Sequence, residues 1–294
     1  MNNIVFIADY FSDEVPGGGE LNNDELVKIL VQMGHRVYKL KSANTTVSLL
    51  KEFFYADMST NFIISNFIQL SEEVKRFFYM PTHKDGQVRY MIYEHDHKYL
   101  RNRNPAQYED YLAPKEQIIN YGFYKSAIAV LCQSEFHAGI VRKNLNSNNI
   151  VSLGGNLWED DTLDFMEEMA AVEKLDKYAV MQSNIPHKNT AQAIAYCKVK
   201  EVDYELIEPC EFRDFLTKLG RCKSLVFFPE TPETLSRIVA EARMMGMSVV
   251  TNKNVGATKE PWFELKGTPL IEVMRNKKSE IPKLILEAFS AQSL

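Results

Sequence analysis

At 294 residues the chain is longer than one ordinary core requires and suits two domains of about 100–170 residues each. Hydrophobic residues make up 45% and charged residues 25%, as in soluble globular proteins, and the net charge of −5 excludes a uniformly basic nucleic-acid binder while leaving room for a local basic patch. The opening MNNIVFIADY lacks the basic start and long apolar run of a signal peptide, and no apolar run nears the ~20 residues of a membrane span. Cys132, Cys197, Cys210 and Cys222 form no C-x-x-C pair. They read as reduced thiols of a cytoplasmic protein, without a cysteine metal site.

Short β-branched or aromatic runs alternate with helical patterns from the start. NIVFIA reads as a strand, and ELNNDELVKILVQMG as a helix with Leu26, Ile29, Leu30 and Met33 at helical spacing and Gly34 as its stop. RVYKL and NFIIS follow as strands, SEEVKRFFY as a helix, VRYMIYE and AIAVLCQ as strands, SEFHAGIVRKN as a helix and NIVSL as a strand. The second half keeps the rhythm with KYAVMQS, NTAQAIAYCKV, DYELIE, CEFRDFLTKLG, SLVFF, ETLSRIVAEARMMG and SVVTN. Apolar strands alternating with helices imply parallel sheets covered on both faces. The expected class is α/β, with two facing Rossmann-like, doubly wound domains.

The acidic stretch from Trp158 to Lys177 is the best boundary candidate, although the same composition suits a plain solvated helix. It divides the chain into an N-terminal domain over 1–172, a second over 173–280, and a C-terminal helix over 281–294, in the run EIPKLILEAFSAQ that starts at Glu280. In open α/β sheets ligands bind beyond the C-terminal strand ends. The site is therefore expected where the loops after the strands gather.

The most informative stretch is VFFPETPETLSRIVAEARMMGMSVV, from Val226 to Val250. A strand ends at Phe228, Pro229 and Pro232 stiffen a turn, and a helix is expected from an N-cap near Thr234. Leu235, Ile238, Val239, Ala242 and Met245 form its apolar stripe, and Gly246 stops it. The amides of Leu235 and Ser236 would then face a phosphate at a helix N-terminus. Glu233 and Glu241 flank that point, either as acceptors for sugar hydroxyls or simply as solvated helix-end acids.

This segment resembles the signature of family 4 retaining glycosyltransferases of the GT-B type, in which two glutamates with seven residues between them precede A-x-x-x-G-x-x-V-V. Here the match is Glu233, Glu241 and then ARMMGMSVV. The resemblance implies that Glu241 holds the nucleotide ribose and that Glu233 lies by the transferred sugar. The opening is also similar to that family, with Gly17, Gly18 and Gly19 after the first strand, then a helix and G-H-x-V. Gly18 and Gly19 are thereby expected to let the backbone approach the donor. In MQSNIPHKNTAQAIAY, Lys188 stands where the family has a phosphate-binding lysine, or is an ordinary helix-start lysine. The family's arginine five residues earlier is Ser183 here. His95 and Asp96 resemble the H-D pair that meets the donor sugar. A metal pair with His97 and a plain surface loop are the alternatives at that position.

The implied activity is retaining transfer of a hexose or pentose from a nucleotide-diphosphate sugar, with no metal and no cofactor. Lys188 and the helix start would stabilise the leaving diphosphate, while His95 and Glu233 orient the sugar. The rival reading is a non-enzymatic GT-B relative that binds a sugar nucleotide or a protein partner. For the acceptor, a saccharide or a DNA base, the sequence offers one feature. From Lys75 to Arg103 seven basic residues (Lys75, Arg76, Lys84, Arg89, Lys98, Arg101, Arg103) meet three acidic ones, Asp85, Glu94 and Asp96. Lys98, Arg101 and Arg103 are the expected acceptor rim, with a plain solvated face as the commoner explanation of such a run. Phage enzymes that glycosylate hydroxymethylated DNA bases share the implied architecture, which keeps DNA among the acceptors.

Overall fold

The computed structural model describes residues 2–15, 17–80 and 88–291. Lys84 and Asp85 of the basic run and Gln292 of the last expected helix lie outside the described residues. The chain divides into two compact units. The first comprises Met1–Gln133, Ala138–Leu153 and Lys278–Leu294, and the second Ser134–His137 and Gly154–Lys277.

Six strands build the sheet of the first unit: β1 (Asn3–Ala8), β2 (Arg36–Lys41), β3 (Asn61–Ser65), β4 (Arg89–Glu94), β5 (Val130–Cys132) and β6 (Ile150–Ser152). Their order is β2-β1-β3-β4-β5-β6, and every pairing is parallel. All five residues of β3 are buried, as a strand covered on both faces must be, whereas the edge strand β2 is largely exposed. Helices α1 (Gly18–Gln32), α2 (Val47–Ala56), α3 (Glu72–Tyr79), α4 (Tyr121–Ser126) and α5 (Glu135–Leu145) connect the strands. Helix α2 is absent from the sequence reading. Its run VSLLKEFFYA starts from Thr46, whose hydroxyl accepts the Leu49 N–H at 3.2 Å, and it buries Leu50 and Phe54. Phe62, Phe78, Tyr90 and Phe123 fill the core, with Tyr90 and Phe123 stacked at 5.2 Å. Each such side chain contributes about 1.5–3 kcal/mol through burial.

The second unit holds β7 (Leu175–Met181), β8 (Tyr204–Ile207), β9 (Cys222–Phe227) and β10 (Ser248–Thr251), parallel in the order β10-β9-β7-β8. Its helices are α6 (Asp160–Ala170), α7 (Thr190–Val199), α8 (Phe212–Gly220), α9 (Arg237–Met244) and the start of α10 (Thr268–Ala291). From Lys278 onward α10 belongs to the first unit, where Lys278 Nζ meets Glu25 Oε1 at 2.9 Å. The expected α/β class with two Rossmann-like units is what the chain forms. Among the described residues no helix is long and apolar enough to cross a membrane.

One local departure sets up the site. The segment before α9 does not enter the helix at Thr234. It runs extended beside residues 254–257 through a parallel bridge between Glu233 and Val255, with Gly256 N–H donating to the Glu233 carbonyl at 3.0 Å. The Thr234 carbonyl accepts the Ser134 hydroxyl, and the Leu235 carbonyl accepts the Ala257 N–H at 2.9 Å. The helix begins only after the chain reverses at Ser236, a non-glycine residue at φ 76°. Gly256 makes this crossing possible. A Cβ there would press on the Thr234 carbonyl oxygen and lie 2.5 Å from Ser134 Oγ. Gly256→Ala is therefore expected to cost about 1–3 kcal/mol in denaturant unfolding through overpacking. Gly139→Ala, on α5 with nothing within 4 Å of the added Cβ, should instead be neutral or stabilising.

Candidate functional site

In the first unit the residues that follow the strands converge as polar groups. Asp9 follows β1, Asn66 follows β3, His95 follows β4 and Gln133 follows β5. Parallel pairing brings these ends to one edge of the sheet, where open α/β sheets bind ligands. Asp9 is buried and ties the next loop, accepting the N–H groups of Ile68 at 2.8 Å and Gln69 at 3.0 Å. His95 is gripped from both sides, with Nε2 2.7 Å from Asn23 Oδ1 and Nδ1 2.6 Å from Gln133 Nε2. An amide nitrogen can only donate, so Nδ1 accepts from Gln133, and Nε2 faces the Asn23 carbonyl oxygen as the donor. The ring also packs on Tyr93 at 4.4 Å.

The glycine run supplies the other side of this cluster. Gly17 caps α1, and Gly18 and Gly19 form its first turn, so the expected loop is a helix N-terminus. A Cβ on Gly19 would come 3.3 Å from Asn66 Nδ2 and 3.5 Å from the His95 ring. Gly19 and His95, 76 positions apart, are thus neighbours, as a shared site requires. Glu20 joins them. Its Oε1 accepts Asn66 Nδ2 at 2.8 Å, and burial raises its carboxyl above the usual range against the lowering effect of those hydrogen bonds. Glu20, Asn23, Asn66 and Gln133 escaped the sequence reading. Only the position of the last two, directly after strands, could have singled them out.

In the second unit β7 and β9 are adjacent, and the loops after them bring two expected residues together. Lys188 Nζ lies 2.7 Å from Glu233 Oε1, both side chains partly exposed, and 5.8 Å from the Phe227 ring. A backbone bond from Glu230 N–H to the His187 carbonyl at 2.8 Å ties the two loops. The ammonium keeps further donor capacity for a ligand oxygen. At Ser183 the hydroxyl closes the local turn, accepting the Ile185 N–H at 3.2 Å.

Glu241 sits deeper than its expected place beside the loop mouth. It is 3% exposed, its Oε1 accepts the Trp158 indole N–H at 3.0 Å, and Arg237 Nε stands 3.4 Å away. The Arg237 guanidinium lies 4.4 Å over the Trp158 ring and donates to the Leu157 carbonyl at 2.7 Å. Trp158 and Arg237 were read from the sequence only as parts of an acidic stretch and a helix.

Three expectations need correction. Leu235 is fully buried in the core, and the helix starts at Arg237, so its N-terminus is formed by Ser236 and Arg237 rather than by Leu235. The hydroxyl of Ser236 is buried and, among the described residues, has no hydrogen-bond partner. Lys98 is no rim residue. It is 4% exposed, with its ammonium 2.7 Å from the fully buried Glu94 carboxylate, because a buried acid must be paired. His97 parts from His95: it is 1% exposed, with Nδ1 3.1 Å from the Tyr99 hydroxyl. Arg101 and Arg103 are exposed as expected, the latter 3.3 Å from Asp96. Among the described residues no group of three or more His, Cys, Asp or Glu gathers as metal ligands.

No protein-family model and no curated protein sequence matches the chain. Solved structures do. Sucrose-phosphate synthase from Thermosynechococcus elongatus superposes with a TM-score of 0.60 at 9% identity, over 99% of this chain and 100% of its own. HepE from Anabaena, in complex with UDP-glucose, gives 0.55 at 12% identity over 98% and 92%. An α-glucosyltransferase in complex with UDP and a 13-mer DNA containing an HMU base gives 0.51 at 11% over 96% and 90%. What they share with this chain is the fold. It is the GT-B type expected from the sequence.

Burial of His97 has a measurable consequence. Loss of solvent lowers its pKa from 6.5 to about 4, so the unfolded chain binds the proton more tightly than the folded one. Its contribution is fully present above pH 6.5 and is lost as pH falls toward 4. The full loss is roughly 3 kcal/mol. Unfolding free energies measured across this window should fall more steeply for the unaltered protein than for His97→Gln.

Proposed function

We propose that the protein is a retaining glycosyltransferase of the cytoplasm that moves a hexose or pentose from a nucleotide-diphosphate sugar to an acceptor hydroxyl. The observation that carries this reading is the Lys188–Glu233 pair at the ends of adjacent strands β7 and β9, on a fold of glycosyltransferase type. In this reading Lys188 and the start of α9 take the diphosphate. The helix offers its first amides and the positive end of its dipole there, at Ser236 and Arg237. Together they stabilise the charge that grows as the sugar–phosphate bond breaks.

Glu233 accepts hydrogen bonds from the transferred sugar. Glu241, held by Trp158 and Arg237, serves the ribose with its remaining acceptor capacity. In the first unit His95 has no free basic nitrogen in its present contacts, so it orients rather than abstracts a proton. As the acceptor oxygen bonds to the anomeric carbon, its proton passes to the departing phosphate oxygen. Attack on the face the phosphate leaves retains configuration. No metal and no cofactor enters this scheme.

For the acceptor, the α-glucosyltransferase bound to DNA supports a modified DNA base and the sugar-metabolising neighbours support a saccharide. Ser183, in place of the family's arginine, favours the second reading of a non-enzymatic binder of sugar nucleotides. Hydrolysis of a panel of nucleotide sugars separates the two, and consumption of none would sink the transferase. Glu233→Ala should lower turnover by roughly 10²-fold or more, whereas Glu241→Ala should mainly weaken nucleotide binding. Wild-type transfer and affinity in both variants would reject these roles.

A further inference from the structure

The first unit carries a pocket of about 170 Å³ lined by Phe67, Lys75, Lys98, Arg101, Arg103 and Asn120, with aliphatic walls. It opens beside the strand-end cluster, because Phe67 directly follows Asn66 and Lys98 lies in the turn that begins at His95. Phe67 is buried, and its ring sits 5.7 Å from Lys75 Nζ and 5.9 Å from Lys98 Nζ. An aromatic face holds ammonium groups without neutralising them.

The charges around this pocket do not cancel. Lys98 is matched by buried Glu94, and Arg103 by Asp96. Lys75 meets Glu72 Oε1 at 2.7 Å and Asn120 Oδ1 at 3.2 Å, but the Glu72 side chain is 68% exposed. Such a solvated partner contributes little and exchanges readily for another anion. Among the described residues Arg101 has no carboxylate within 4.0 Å, so four cations face three carboxylates. The pocket is smaller than the about 300 Å³ needed by a whole small ligand. Its volume suits one charged group on a short stem, and its donors suit an oxyanion.

We propose that this pocket takes a phosphate group carried by the acceptor, an inference that rests on the transferase reading for the word acceptor. The guanidinium of Arg101 supplies the fork and Lys75 exchanges Glu72 for the phosphate, while Lys98 stays paired with Glu94 beneath them.

Inorganic phosphate is the first probe, titrated by calorimetry into the full chain and its variants. Arg101→Glu should weaken binding at least about tenfold, the loss of one charge-assisted hydrogen bond. Arg101→Lys should retain most of it. Lys200→Glu, an exposed charge in the second unit, should leave it unchanged. Equal binding by Arg101→Glu and the unaltered protein overturns the site, and so does an equal loss in Lys200→Glu. Two further arms identify the carrier. Arg101-dependent binding of a hexose 6-phosphate, displaced by inorganic phosphate, means a small phosphorylated acceptor. Arg101-dependent binding of duplex DNA, with a salt slope smaller by about one in the variant, means a backbone phosphate. Either sustains the pocket. Nucleotide-sugar hydrolysis by the unaltered protein tests the transferase separately. Its absence, with Arg101-dependent phosphate binding intact, would reject that reading and leave the pocket standing.

Discussion

The buried carboxylate of Glu94 is the constraint on which the first unit's strand-end cluster depends. It ends β4, a central strand, with no exposure at all. An unpaired charge there would cost several kcal/mol, so the chain must bring donors to it. The backbone N–H of Asp96 arrives at 2.9 Å, Lys98 Nζ at 2.7 Å, and the Tyr124 hydroxyl completes the set. Burial and the neighbouring carboxylate together hold that phenol well above its ordinary pKa. Meeting Glu94 from residues 96 and 98 closes a tight turn. That turn sends the His95 side chain toward Asn23 and Gln133, and His97 into the core beside Tyr99.

The second unit solves a comparable problem with backbone rather than charge. The segment from Glu233 to Ser236 is stitched to residues 254–257, and only a glycine at 256 allows the approach. The stitching delays α9 and bends the chain through a positive φ at Ser236. It also leaves the Glu233 side chain beside the loop that carries Lys188. Strained backbone of this kind, costing about 1–3 kcal/mol, persists only where the surroundings over-determine it. Buried Glu241 then serves first as the anchor that holds Trp158 and Arg237 together. Any ligand contact it makes is built on that anchored geometry.

Much of this was legible in the residues. Strand and helix periods differ, and both recur through the chain, so the alternation that builds two parallel sheets could be read directly. Gly34 as the stop of α1, now seen at φ 87°, follows from local backbone freedom. The spacing of Glu233 and Glu241 and the glycine run marked the places where polar groups gather. Helix α2 escaped the reading although it buries Leu50 and Phe54 and exposes Lys51 and Glu52.

The sequence by itself determined the alternation and the fold class, because these depend on local period and backbone preference. Only tertiary structure decided which charges are exposed. Lys98 and Arg101 are three positions apart in one basic run, yet one is paired inside with Glu94 and the other faces solvent. Likewise Lys188 and Glu233 meet across 45 positions, and His95 finds Asn23 across 72. Such pairings depend on which strands become neighbours and how the chain between them turns. Ion pairing and burial are properties of three-dimensional neighbours, and residue order alone does not contain them.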